Sequence, residues 1–218
     1  MPASHFLPGA LSGATLADLA ATLLQARQTH LPKRLGAPGP DGAQLASILG
    51  AAAHAPDHGR LLPWRFVLVP EGARAALADA FAQALSERDP AALPDQLARA
   101  REKAGRAPVL LLAVVDAGCG ESAIGLPERL VSAGCAVQNI LLMATAHGFG
   151  SALTSGQSLQ SQALRQLFAL SNSEQALCFI SIGQVAEPKP ARMRPAPDTY
   201  LSTLQPAGGT VPGVDPCD

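Results

Sequence analysis

The segment from Leu130 to His147 restricts the possible folds more than any other part of the chain. It contains no proline, and Gly148 offers a natural C-terminal stop, so it reads as a helix. Wound at helical spacing, it places Val131, Ala133, Ala136, Val137, Ile140, Leu141, Leu142, Met143 and Ala144 around nearly the whole circumference. Gln138 and Asn139 are the main exceptions. A helix apolar on all sides must be buried on several of them. In a chain of 218 residues it has to lie between a sheet and either another subunit or further helices.

A sheet is also readable. Val109 to Val115 is an uninterrupted apolar run rich in valine, the pattern of a central strand covered on both faces. Ala176 to Ile182 is a second buried strand and Arg65 to Pro70 a shorter one. Helices are predicted over Leu16 to Gln28, Asp41 to His54, Ala73 to Ser86, Pro94 to Gly105 and Ser161 to Phe168. Asp41 is a suitable N-cap. The helix it opens stops at Ala55-Pro56, because proline pushes the preceding residue out of the helical region. Helices and strands do not alternate strictly, which predicts an α+β fold with a mixed or antiparallel central sheet flanked by helices. Residues 1–14 and 205–218 are rich in glycine and proline and predict flexible segments around one domain, 15–204.

The formal net charge of -1 and pI near 6.5 give no reason to expect nucleic acid or an anionic membrane as partner. Cys119, Cys135, Cys178 and Cys217 lack the short spacing of a zinc site or a redox pair. No leader pattern opens the chain, and the apolar runs fall short of a membrane span. A cytoplasmic protein with reduced thiols is expected.

Chemistry concentrates in His54-Ala55-Pro56-Asp57-His58-Gly59-Arg60 and the following Pro63-Trp64-Arg65-Phe66. A proline-braced loop presenting two histidines and an arginine suits an anionic or electron-accepting ligand. The same residues also suit a capped turn with exposed histidines and a core tryptophan. Glu121 and Glu128 have no paired acid nearby in sequence and read as solvated surface carboxylates. His147 reads as an answer to the helix dipole. Gly148-Phe149-Gly150 is too short for a dinucleotide fingerprint.

This loop resembles the signature of nitroreductase-like flavoproteins, in particular their compact NAD(P)H nitroreductase branch. Arg34-Leu35 with Pro38, the stretch Ser132-Ala133-Gly134-Cys135-Ala136-Val137-Gln138-Asn139, and Gly148-Phe149-Gly150 with Ser155-Gly156 follow in the family's order. The likeness spans roughly residues 16–200. It implies the nitroreductase-like fold and an obligate homodimer with two FMN sites, each built from both subunits. The family's Arg-Arg-Ser segment, on the phosphate side of FMN, corresponds to Thr29, His30 and Leu31, a clear departure. Phosphate binding then falls to His30, Lys33, Arg34, or the late cluster of Arg192 and Arg194. His54 and His58 match contacts made to the partner's FMN. Leu153, Thr154 and Ser155 match a Trp-Arg-Ser segment, of which only Ser155 is retained. The implied activity is reduction of FMN by NADH or NADPH, then of a flat acceptor such as a nitroaromatic or quinone. A specialised flavin dehydrogenase, or a flavin-binding protein without NAD(P)H turnover, is the alternative. No acid-base dyad is recognisable, which suits chemistry supplied by a flavin.

Overall fold

In a computed structural model, which describes residues 14–187, 190, 192–206 and 208–213, the elements run in the following order. They are α1 (Leu16–Ala26), β1 (Leu35–Gly36), α2 (Gly42–Gly50), β2 (Trp64–Leu68), α3 (Arg74–Arg88), α4 (Pro94–Glu102) and β3 (Val109–Asp116). Then come α5 (Leu126–Ala146), β4 (Gly150–Thr154), α6 (Gln162–Leu167), β5 (Glu174–Val185), β6 (Ser202–Leu204) and β7 (Thr210–Pro212). The fold is α+β.

The side chains of β3 sort by period two. Val109, Leu111 and Ala113 pack with Ile48 of α2 and with Ala136, Ile140 and Ala144 of α5. Leu110, Leu112 and Val114 pack with Leu77 and Phe81 of α3 and Leu164 of α6. β5 divides in the same way, Ile180 and Ile182 to the first cluster and Phe179 to the second. Helices therefore cover both faces, which explains the unbroken apolar run in β3. Each large apolar side chain buried in these clusters contributes about 1.5–3 kcal/mol.

The sheet order is β1-β5-β3-β2, with β4 also paired to β5. Every strand pair is antiparallel, so of the two sheet types expected the antiparallel one is realised. The parallel component among the described residues is a single bridge, Thr29 to Ser151. β4 was not foreseen from its sequence. Its Gly150 is required by packing, since a Cβ there would lie 2.3 Å from Val185 Cγ2 and 2.9 Å from Leu35 Cδ2.

α5 begins at Leu126, earlier than the apolar pattern indicates, because Pro127 is tolerated in a first turn. It is long and apolar enough to span a bilayer by length and composition. However, it opens with Glu128 and Arg129 and packs against the sheet and α2.

The chain divides into two units, residues 1–188 and 189–218. The second holds the β6–β7 hairpin, turned by Gly208 and Gly209 at φ 87° and 81°. The expectation of unstructured ends therefore falls partly on a hairpin. Residues 1–13 and 214–218 lie outside the described residues.

Candidate functional site

β4 ends at Thr154 and runs through Ser155 and Gly156 into a short turn, Gln157–Gln160. Thr154 to Leu159 line an open cavity of about 470 Å³. The same cavity receives Arg88 from the end of α3, and Lys103 and Arg106 from the turn after α4. Its apolar lining includes Leu110, Phe81 and Phe179, the two rings meeting edge to face with centroids 5.5 Å apart. None of the three cations has an ion pair or hydrogen bond among the described residues. No carboxylate lines the cavity. A concave site walled by apolar groups and lined by one sign of charge attracts anions, and this volume lies within the range of cofactor pockets.

The segment before β1 is attached to the same strand. The His30 amide donates to the Ser151 carbonyl at 2.9 Å, and Thr29 forms the bridge to Ser151. His30 is buried and packs over Gly150, where a Cβ would lie 3.1 Å from His30 Cδ2. The buried Ser151 hydroxyl has no hydrogen-bond partner among the described residues. One end of β4 thus holds Thr29 and His30, and the other delivers Thr154 and Ser155 to the cavity. Pro32, just beyond the exposed Leu31, also lines it. Leu153 is exposed on β4.

The loop of His54 and His58 does not line this cavity. His54 ends a short helical turn, Ala51–His54, and is exposed. Beyond it the backbone has positive φ at Gly59 (69°), Arg60 (53°) and Leu62 (47°). Asp57 Oδ2 accepts the Leu62 amide at 2.7 Å. A Cβ on Gly59 would lie 2.9 Å from Ile124 Cδ1, and one on Gly120 would lie 2.4 Å from Leu61 Cδ2. The loop is thus seated against the 117–124 turn. Arg129, 1% exposed, fastens that turn from behind by donating to the carbonyls of Ile124, Asp116, Cys119 and Glu121.

His58 Nδ1 lies 2.6 Å from Glu128 Oε2, in the first turn of α5. The hydrogen bond to Glu128 raises the His58 pKa above its usual 6.5, followed by that carboxylate's charge and, more weakly, by Glu121 and Asp57. Leu62, Leu130 and Val131 are exposed nearby in sequence.

Arg192 and Arg194 lie in the second unit and are exposed. The sequence did not single out Arg88, Lys103 or Arg106 as site residues. They are far apart in the chain and share no motif, so only the folding of α3 and α4 onto β3 brings them to one cavity. Glu128 is exposed, as a solvated carboxylate should be, and what the sequence does not show is its pairing with His58, 70 residues away.

A sequence model described as the Nitroreductase family matches residues 33–184. The chain is 32% identical over 164 residues to a Haemophilus influenzae protein provisionally named an NAD(P)H nitroreductase, covering 75% of this chain and 87% of that one. Among solved structures, it is similar to a nitroreductase-like family protein from Bacillus cereus. That match has a TM-score of 0.74 and 17% identity, over 90% of this chain and 100% of the other. It is also similar to a variant of the FMN and NADPH-dependent nitroreductase NfnB from sphigopyxis sp. strain HMH. Here the TM-score is 0.66 and the identity 20%, over 84% and 97% of the two chains. At these identities the two structures speak for the fold alone.

Proposed function

From the premise that the chain belongs to the nitroreductase family, we propose that it is an FMN-dependent oxidoreductase. In this reading it takes electrons from NADH or NADPH, passes them to a flat acceptor such as a nitroaromatic or quinone, and works as a homodimer. The observation that carries the proposal is the cavity beside Thr154 and Ser155, with three cations that have no partner among the described residues.

The residues present fit FMN. Arg88, Lys103 and Arg106 would hold its anionic groups, and Phe81, Leu110 and Phe179 supply apolar lining for a ring system. Thr154, Ser155 and the backbone of the following turn offer hydrogen-bonding groups to its polar edge. When bound, FMN supplies the hydride chemistry, and the protein supplies binding, orientation and charge.

Exposed apolar side chains support the homodimer reading. α1 has a closed capping box at Thr15 and Asp18, yet none of its side chains is buried. Leu16 and Leu24 are 57% and 55% exposed, and on α5 Val131 is 64% exposed. An 11-residue helix is marginal on its own, so its apolar side needs cover. A second copy supplies it, and the same association would bring His54 and His58 to the partner's flavin.

Steady-state oxidation of NADH and NADPH by FMN-loaded protein, with menadione or nitrofurazone as acceptor, tests the activity. Acceptor-dependent turnover is expected. A protein that keeps FMN but turns over neither nucleotide would be a flavin-binding protein instead.

A further inference from the structure

We propose that Glu128 is a positioning residue for His58, holding Nδ1–H so that the protonated ring turns Nε2–H toward an anionic ligand held by a second copy of the chain. The inference rests on the reading of a flavin site shared between two copies. It adds to that reading a residue that no sequence motif marks.

Three observations carry it. Nδ1 is taken up by Glu128 at 2.6 Å, while Nε2 makes no hydrogen bond among the described residues and the His58 side chain is 68% exposed. The pair ties a loop to the first turn of α5, where a carboxylate is also favoured by the helix dipole. Finally, the loop is held in a sparsely populated conformation, with the non-glycine residues Arg60 and Leu62 both at positive φ. Such strain persists where the surroundings over-determine it, and it clusters at ligand sites. Here Asp57 and the 117–124 turn supply the determination.

The charges around His58 agree in sign. Glu128 faces it from α5, Glu121 from the 117–124 turn, and Asp57 from its own loop. Arg129, next to Glu128, turns its guanidinium inward to backbone carbonyls. Arg60 is exposed and has no ion pair among the described residues. The imidazolium is therefore favoured, and its pKa is raised. With both nitrogens protonated, Nδ1–H serves Glu128 and Nε2–H faces outward. The donor is fully present below the ordinary histidine pKa and is lost as pH rises through the raised value. Removing Glu128 moves that loss to lower pH. An exposed ion pair contributes little to stability, so its effect should show in His58 titration and ligand affinity, not in folding.

The test follows the His58 ring by NMR from about pH 5.5 to 8.5 in wild type, Glu128→Gln and Glu128→Asp. FMN dissociation constants are measured over the same range, with His58→Ala included. In Glu128→Gln the His58 midpoint should fall and the decline in FMN affinity should begin at lower pH. A charge-assisted bond sets its size at about tenfold. Affinity should return at the acid end, where the imidazolium re-forms without Glu128. Glu128→Asp should lie between, and His58→Ala should leave only the pH dependence that the FMN phosphate contributes by its own titration near about pH 6. An unchanged His58 midpoint, or identical affinity profiles for wild type and Glu128→Gln, overturns the role of Glu128. Wild type that takes up no FMN at any pH overturns instead the reading of the site, and the ligand half of this inference with it.

Discussion

Lys103 and Arg106 approach the cavity from one turn, Arg88 from the end of α3, and the resemblance points instead to Arg192 and Arg194 in the second unit. Binding separates these groups. Lys103→Met and Arg106→Gln should each weaken FMN about tenfold and riboflavin less, because each removes about 1.5 kcal/mol or more of charge-assisted bonding to the phosphate. Equal loss for both ligands would move that cation to the ring. An effect of Arg192→Ala with none from Lys103→Met would place the phosphate grip in the second unit. Away from the cavity, Arg65 Nε donates to Glu174 Oε1, and this bond is the largest cause holding the Glu174 carboxyl below its usual 4.5. A lowered pKa stabilises the fold above the usual value and loses that contribution as pH falls through the lowered one. Melting temperatures of wild type and Glu174→Gln should therefore differ near neutral pH and converge in acid. A constant difference across that range would contradict the pairing. At this scale little of the cavity was readable. Ser155 and Thr154 could be found because they sit in a recognisable segment, while the cavity cations come from helix ends with no shared pattern. The pairing of Glu128 with His58 was hidden because the two lie 70 residues apart.

Elements that bury long apolar stretches were legible. β3 and α5 were found because a fully covered strand and an enclosed helix leave no polar interruptions. β4 was missed because Gly-Ser-Ala-Leu-Thr contains few strong strand formers, and its place is set by β5 beside it. Strand direction was not legible either, since hydrophobic pattern alone does not distinguish an antiparallel from a mixed sheet. Gly150 shows how closely β4 is fitted. Gly150→Ala should cost about 1–3 kcal/mol through overpacking against Val185 and Leu35. Val185→Ala in the same chain should recover part of that loss, as read by urea denaturation. Additive losses in the double variant would show that the close approach is not what excludes a side chain.

For the whole molecule, the exposed leucines of α1 decide the outcome. Leu16→Asp with Leu24→Asp should convert a dimer to a monomer in light scattering. Four leucine side chains, two from each copy and each already nearly half buried, supply about 3–6 kcal/mol on being covered, enough to weaken association a hundredfold or more. A wild-type protein that is monomeric at micromolar concentration would remove the dimer, and the role given to His58 would go with it. Taken together, the α+β frame was readable from two apolar segments, and the family from the His54–Phe66 loop with the start of α5. The cavity came only from tertiary structure. The most direct measurement is the visible spectrum of purified, FMN-incubated and desalted protein during anaerobic titration with NADH and then NADPH. The proposed function predicts one retained FMN per chain, whose flavin absorbance is bleached by at least one nucleotide and returns on adding a quinone. Loss of the flavin on desalting, or a retained flavin that neither nucleotide bleaches, would contradict it.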